Sequence, residues 1–464
     1  MSLSEYEQRR DFAATPEPAP DAPVAAATRR FVIQEHHATS LHWDLRLEHE
    51  GVLASWALPR GIPPDPRQNR LAVRTEDHPL AYLEFEGEIP KGQYGGGRME
   101  IWDSGTYQVE KFRDREVIVV LHGERVTGRY ALFRTEGRNW MIHRMDPPDD
   151  PGRELMPEGI APMLAKPGSL PPHADDWAFE IKWDGVRLLA YVQGGRVELR
   201  GRSGLDMTAT YPELRGVGAA LGMVECVLDG EVVALDEGGV PRFERLQQRM
   251  NVTGDARIAR LARSIPVRFH VFDLLFLDGR SAMSLPYRDR RRLLEALELD
   301  GPAWGTPASH VGTGREMLEF TREHGLEGVV AKRLDSRYEP GRRSDAWVKV
   351  KNARRLTLEI GGFTLGRDGR SGHIGAVVLG ERLEDGSLRC AGKAGSGLTS
   401  AVTDELESVL VRRTSSPFDS GSVPVGTTFV EPEHRAVIEF TEWTAARTLR
   451  HPIFKALVRA GEDD

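Results

Sequence analysis

EIKWDGVR, residues 180–187, is the stretch on which the reading of this chain turns. Read as a strand with a period of two, it puts Phe179 and Ile181 on one face and Glu180 and Lys182 on the other. Asp184-Gly185 is a strong turn signal, and Val186 to Val192 reads as the returning strand. The expectation is a hairpin that presents a lysine beside two carboxylates near its turn. An amine at the reference pKa of about 10.4 is a poor nucleophile. Neighbouring cations or a bound metal ion lower that value and free the lone pair. Taken alone, a solvated surface lysine on a hairpin is the simpler reading.

Four further stretches follow in order: VLDGEVVAL (227–235), FHVFDLLFLDG (269–279), EGVVAKR (327–333) and AWVKVK (346–351). Together with EIKWDGVR they resemble the ordered motif set of the ATP-dependent DNA ligases, which belong to the covalent nucleotidyltransferases with RNA ligases and capping enzymes. The resemblance implies that Lys182 forms the lysyl-AMP intermediate, that Glu180 recognises adenine and that Phe272 stacks on it. It implies that Arg187 and Arg202 contact the ribose and the nick phosphate, the latter from RGRSG (200–204), where the family more often has asparagine before the glycine. Glu231 and Glu327 are hard oxygen ligands suited to magnesium or manganese. Lys349 and Lys351, which share one strand face, are placed for triphosphate oxygens. Each of these stretches is unremarkable by itself, and the apolar run around Phe272 reads equally as plain core.

The chain has 464 residues, a length prior of about three domains, and carries a net charge of −8. That charge argues mildly against indiscriminate nucleic-acid binding, but phosphate contacts are made by local patches. RDRRR (288–292) reads as one patch and the AWVKVK lysines as another. Two cysteines, Cys226 and Cys390, make no disulfide framework, so a reducing cytoplasm is the natural setting. No apolar run has transmembrane length, and the N-terminus lacks an apolar signal core.

Residues 1–27 carry TPEPAPDAP and few large apolar residues, which reads as a disordered tail. Strict alternation begins at Leu41: His42, Asp44, Arg46 and Glu48 share one face, Leu41, Trp43, Leu45 and Leu47 the other. The polar face combines metal-ligand types with a phosphate-binding guanidinium; an exposed face of ion pairs reads as well. EDHPLAYLEFEG (76–87) adds His78 and Tyr82, and IPKGQYGGGRMEIWDSGTY (89–107) adds a glycine-rich bend between strands. Many short alternating runs predict a small β-barrel. Residues 30–146 resemble the 3′-phosphoesterase domain of bacterial ligase D. The resemblance implies a manganese site at His36, His42 and Asp44, with Arg46, His78 and Tyr82 acting on the scissile phosphate. EYEQRRDFAATPEP (5–18) also resembles the leader before that domain. Glu35 stands where lysine is common, and His37 adjoins His36, so the ligand assignment could shift by one position.

The domain boundaries expected are a tail at 1–27, the phosphoesterase barrel at 28–147, a polar proline-rich linker at 148–160, an α+β adenylation domain at 161–355 and an OB-fold barrel at 356–464. A linker of that composition predicts two modules that transmit little strain to each other. RDRRRLLEALEL (288–299), REMLEFTREHG (315–325) and AVTDELESVLVRR (401–413) read as helices. EWTAARTLRHPIFKAL (442–457) resembles the C-terminal ligase motif, with Arg450 as the pyrophosphate contact and Arg447 second.

The resemblance covers about residues 30–460. It implies a ligase that uses ATP and a divalent metal to join 5′-phosphate and 3′-hydroxyl ends, fused to a manganese-dependent 3′-end-processing phosphoesterase, with no polymerase domain in the sequence. Double-strand break repair by end joining in the bacterial cytoplasm, at the nucleoid, is the setting it implies. A Ku-type end-binding protein and a separately encoded polymerase would be partners, and no membrane is involved. The alternatives are an RNA ligase or capping-type enzyme, of which GTP labelling would favour the capping type, and a DNA-end scaffold with degenerate sites, against which Lys182, Glu231 and Glu327 argue.

Overall fold

The computed structural model describes residues 3–20, 29–352, 354–366, 372–440, 443–444 and 446–459. The chain forms two compact units: Met1–Lys166 with Pro172–Gly312 and Lys332–Val348, and Pro167–Pro171 with Thr313–Ala331 and Lys349–Asp464.

The first unit begins with a barrel. Its strands are β1 (Arg30–His37), β2 (Leu41–His49), β3 (Val52–Leu58), β4 (Asn69–Arg74), β5 (Gly87–Ile89), β6 (Gly97–Arg113), β7 (Glu116–Gly123), β8 (Thr127–Glu136) and β9 (Asn139–Arg144). The order β1-β2-β3-β4-β9-β8-β7-β6 closes through a β1–β6 ladder, and β5 adds to β6. Closure leaves no free edge among the eight barrel strands. Leu45, Leu47, Trp43 and Trp56 fill the interior, as the alternation from Leu41 predicts. The opposite face of β2 is not solvated, however: Asp44, Arg46 and Glu48 are buried too. They lie under a second, smaller apolar cluster that includes Tyr6, Val32, Tyr82, Phe85 and Met99.

Tyr6 belongs to the segment expected to be a disordered tail. Its residues 3–20 instead lie against the barrel, with α1 at Leu3–Gln8. Tyr6 is fully buried and donates to the Pro18 carbonyl at 2.6 Å. Arg10 pairs with Glu17 at 2.5 Å and Glu76 at 3.1 Å. Low hydrophobicity hides this anchoring, because one aromatic ring and a buried ion network hold the segment. The rest of the expected tail, residues 1–2 and 21–27, lies outside the described residues.

After a short strand β10 (Leu164–Pro167), the adenylation module is built from β11 (Trp177–Ile181), β12 (Val186–Gln193), β13 (Arg196–Gly201), β14 (Cys226–Ala234) and β15 (Val267–Leu277). The central sheet runs β13-β12-β14-β15, then Trp304–Gly305 and Asp300–Gly301. β11 and β12 do not form the expected hairpin. β12 pairs with β13 and β14, whereas β11 lies in a different sheet and pairs with His310–Val311. Residues 182–185 therefore cross between two sheets. The strand edges explain the difference: β12 is paired on both sides, with β13 and β14, so it has no free edge to offer β11.

Helix Tyr287–Glu295 corrects another expectation. RDRRR is not an open basic patch, because Arg290 is fully buried in a two-bond pair with Asp273 at 2.8 and 2.9 Å. Arg291 is buried beside Glu295 and Glu180, which leaves Arg288 and Arg292 exposed.

Barrel and adenylation module share one unit rather than hanging on a loose linker. The turn between β12 and β13 uses Gly194 and Gly195, both at positive φ (55° and 69°). A Cβ on Gly194 would meet the Arg60 backbone oxygen at 2.5 Å, and one on Gly195 would meet Leu41 at 2.7 Å. Only glycine admits both the conformation and the approach. Met223 and Ala219 pack against the barrel core. Glu225 accepts from Arg70 at 2.8 Å and from Gln193 at 2.8 Å, and also pairs with Arg153 of the linker. The linker is tied down further by Glu154 N–H to Gly279 O at 2.7 Å and Ile160 N–H to the Tyr191 hydroxyl at 3.1 Å. Proline-rich composition marks the segment as irregular, but its polar groups find fixed partners.

In the second unit, Leu388–Ala394, Ile374–Arg382, Arg354–Leu365, Arg435–Phe440 and Ile453–Val458 are consecutive neighbours in one sheet, and Thr427–Phe429 pairs with Arg354–Leu365. A bridge from Ser396 to Ile453 draws the sheet's ends together in an OB-like barrel. Helix Ser400–Val409 is capped by the Thr399 hydroxyl, which accepts from Val402 N–H at 3.3 Å.

Candidate functional site

Register builds the first site. In the β1–β2 ladder His36 faces His42, Gln34 faces Asp44 and Val32 faces Arg46. His36 Nδ1 lies 3.1 Å from His42 Nε2 and 3.6 Å from Asp44 Oδ2, and one ligand atom from each residue fits within 4.8 Å of the others. His36 Nε2 is 2.8 Å from the Gly95 carbonyl, which fixes the ring by its second nitrogen. Two imidazoles and a carboxylate are a donor set suited to manganese or zinc. His37 points away and pairs with Glu35 at 2.8 Å, so the cluster uses the first histidine of the pair.

Arg46 donates to Asp44 at 3.0 Å, Gln34 at 2.7 Å and Ser55 at 3.1 Å, and its guanidinium lies 4.8 Å from the Tyr82 ring centroid. Burial works to raise the Asp44 pKa, but Arg46 and the two imidazoles outweigh it and hold the carboxyl well below the usual range. His78 is pushed well below its ordinary value by burial, then by Arg46 and Arg10. It is therefore neutral, donates from Nδ1 to the Glu76 carbonyl at 2.9 Å and leaves Nε2 towards Arg10 at 3.4 Å. Tyr82 donates to Glu17. Arg10, Glu17, Gln34 and Glu76 are members of this site that alternation alone misses. The leader-like stretch 5–18 was the available signal for the first two.

The second site surrounds the 182–185 crossing. Lys182 follows directly on the end of β11 and is half-buried. Trp183 stacks on His270 of β15 at 3.8 Å between centroids and 11° between planes. A Cβ on Gly185 would meet the Val232 oxygen at 2.1 Å and the Glu231 side chain at 3.0 Å. The loop thus lies flat on β14, with Glu231 beside it.

Around it the buried ionic groups pair off. The two carboxylate oxygens of Glu180 are taken by Lys332, at 2.8 Å, and by the Tyr287 hydroxyl. Lys332 also donates to the Phe272 carbonyl at 3.0 Å and lies 4.5 Å from the Phe272 and Trp347 ring centroids. Burial lowers its pKa, and Glu180 opposes that shift. Arg187 binds Asp229 through two bonds, at 2.5 and 2.7 Å, and lies over the Phe272 ring at 4.5 Å. Tyr338 donates to the same carboxylate at 2.6 Å. Phe272 is buried, tilted 78° to Trp347 at 6.4 Å. Asp229, Tyr287, Lys332 and Tyr338 carry this network without a site role expected from sequence, although Asp229 stands in VLDGEVVAL and Lys332 in EGVVAKR.

Arg202 is exposed on the far end of the β13 turn. The second unit holds Glu327, Lys349, Lys351 and Arg450. There Lys351 pairs with Glu327 at 2.8 Å.

Fold and sites define a multidomain protein that joins an N-terminal barrel with a His-His-Asp cluster to an α+β nucleotidyltransferase core and an OB-like domain. Family models agree: the DNA ligase D 3′-phosphoesterase domain matches residues 34–134, the ATP dependent DNA ligase domain 162–351, and the ATP dependent DNA ligase C terminal region 370–460. The multifunctional non-homologous end joining protein LigD of Mycolicibacterium smegmatis is 45% identical over 473 residues, covering 98% of this chain and 60% of that protein. DNA ligase C1 of the same organism is 38% identical over 244 residues, covering 51% of this chain and 68% of that one. A solved mycobacterial DNA ligase D complexed with ATP and MES is 39% identical, covers 65% of this chain and 95% of that one, and gives a TM-score of 0.40. The chain belongs to the ATP-dependent DNA ligase family and carries the ligase D 3′-phosphoesterase domain. It spans about 60% of the length of the LigD relatives it matches.

Proposed function

We propose that this chain seals 5′-phosphate and 3′-hydroxyl DNA ends through a lysyl-AMP intermediate and cleans 3′ ends before doing so. The observation that carries this reading is the pinned crossing at 182–185, which carries Lys182 and lays Gly185 against Glu231 in a chain of this family. Lys182 Nζ attacks the α-phosphorus of ATP and pyrophosphate leaves. The AMP passes to a 5′-phosphate, and a 3′-hydroxyl then displaces it. Charge develops on phosphoryl oxygens, so the work is positioning and electrostatic. Lys349 and Lys351 meet the triphosphate, Arg450 the pyrophosphate and Arg202 the nick phosphate. Glu231 and Glu327 would each offer an oxygen ligand to magnesium or manganese, which would neutralise phosphate charge. Phe272 packs on the base. Arg187 faces the ribose from its Asp229 anchor. Glu180 acts on the base side through the Lys332 that it holds.

In the barrel, His36, His42 and Asp44 would hold manganese, which would polarise a phosphate oxygen. Arg46, His78 and Tyr82 bind the phosphate, with Arg10 as a second guanidinium. The functional segments are 28–147, 161–355 and 356–464. The names of the relatives support end joining as the setting; a Ku-type end binder and a separate polymerase would be the partners, at the nucleoid.

A sealing assay on duplexes ending in 3′-hydroxyl, 3′-phosphate and 3′-ribonucleotide tests both halves. Sealing of the first with ATP is expected, and manganese should convert the other two into substrates. Covalent labelling by GTP instead of ATP, or no adduct with any divalent metal, would overturn the ligase reading.

A further inference from the structure

A groove of ≈ 860 Å³ runs between the barrel and the adenylation module. Arg60 and Arg67 stand on its barrel wall, Arg200 and Arg202 on its adenylation wall, and residues 155–161 contribute to its lining. Two of these arginines are committed locally: Arg67 to Asp65 at 2.9 Å, Arg200 to Glu198. Arg60 and Arg202 are exposed, and neither guanidinium has a carboxylate within ion-pair distance among the described residues. The lining has only two acidic residues, Glu158 and Glu198, in a chain whose net charge is −8. A local excess of guanidinium on so acidic a protein is a site for an anion rather than a solvated average.

The walls are held in register. The Gly194-Gly195 turn abuts the Arg60 backbone, and Arg70, Arg153 and Gln193 converge on Glu225. Arg60 therefore keeps a fixed place relative to Arg202, although 141 residues of chain lie between them. The groove is open, and these arginines share its lining with Leu155, Met156, Ile160 and Tyr191. Forked donors spaced along such a channel match successive phosphates of a strand.

We infer that this groove carries the phosphodiester backbone of the DNA strand as it leaves the break, so that Arg60 of the phosphoesterase barrel is a DNA contact of the sealing reaction. This rests on the DNA-ligase reading above and extends it to a surface shared by both modules.

The test uses the full chain with Arg60→Glu and, as the conservative variant, Arg60→Lys. Affinity for nicked duplexes is measured against salt, with each arm in turn either short or longer by about one helical turn, roughly 10 base pairs. Arg60→Glu should weaken binding of the duplex with one particular arm extended by about tenfold and flatten its salt slope by about one. Short-armed duplexes should bind as to the unaltered protein, and Arg60→Lys should restore most of the loss. The lysyl-AMP adduct, formed without DNA, should be unchanged. Equal affinity and slope for every duplex would overturn the inference, as would loss of the adduct, which would make Arg60 a structural residue. Failure of the unaltered protein to form an adduct would overturn the ligase reading instead, and the arm-length dependence of binding would still decide the groove.

Discussion

The barrel site and the lysine site are assembled in opposite ways. His36, His42 and Asp44 come from two neighbouring strands with one connection of three residues, and a single ladder brings them together. The lysine site draws on β11, β12, β14, β15 and the 332–347 segment, and Glu327, Lys349 and Lys351 belong to the second unit. In the barrel the ligand atoms already converge. Around β11 and β12 the ionic groups are engaged with one another: Glu180 with Lys332, Arg187 with Asp229. A site made by local register is preformed. A site gathered from distant strands is held by ion pairs, and substrate must work within or exchange them.

The largest effect should come from Lys182. Lys182→Ala should abolish the covalent AMP adduct, and Lys182→Arg should do the same because a guanidinium stays protonated. Labelled ATP followed by denaturing gel electrophoresis reads this directly, and an adduct on either variant would show that another residue is the nucleophile.

Next is the barrel cluster. His42 touches His36 and Asp44 and is partly exposed, so His42→Ala removes one donor of the proposed metal cluster without emptying the core. Processing of 3′-phosphate ends should fall at least 10- to 100-fold, with partial rescue by excess manganese. Clean-nick sealing by the same preparation should persist. Loss of both activities in a folded variant would erase the contrast between the two sites.

The interface sharpens the comparison from the other side. Glu225 sits under Arg70 and Arg153 with its side chain only 5% exposed. Glu225→Ala leaves Arg70 buried and uncompensated, at a cost of about 3–5 kcal/mol. Chemical unfolding should show that loss, and both activities should decline together on warming. An unchanged unfolding midpoint would mean that barrel and adenylation module are independent after all.

The smallest effect belongs to Lys351, half-exposed against Glu327. Lys351→Ala should slow adenylylation severalfold and spare the sealing of a pre-adenylylated nick, since the triphosphate is present only in the first step. Equal losses in both assays would make it a DNA contact.

Much of this was legible in residue order. Alternation from Leu41 predicts one wall of the barrel and the shared face of His42, Asp44 and Arg46, because strand period is a local property. The spacing of the five ligase motifs predicts the family that the comparisons support. What alternation could not give was the burial of that polar face, since the cover comes from Tyr6 and Tyr82 far along the chain. The tail reading followed composition and missed that Arg10 and Glu17 neutralise each other against the barrel.

By itself, then, the sequence determined the local periodicities, the turn glycines and the identity of the chemical groups. Tertiary structure alone decided that EIKWDGVR crosses between two sheets, that Arg290 serves Asp273 rather than solvent, and that Gly194 locks the barrel to the adenylation module. Each of these depends on which distant backbone or carboxylate fills the space beside a residue. That is set by packing and charge pairing across the fold, to which local pattern is blind.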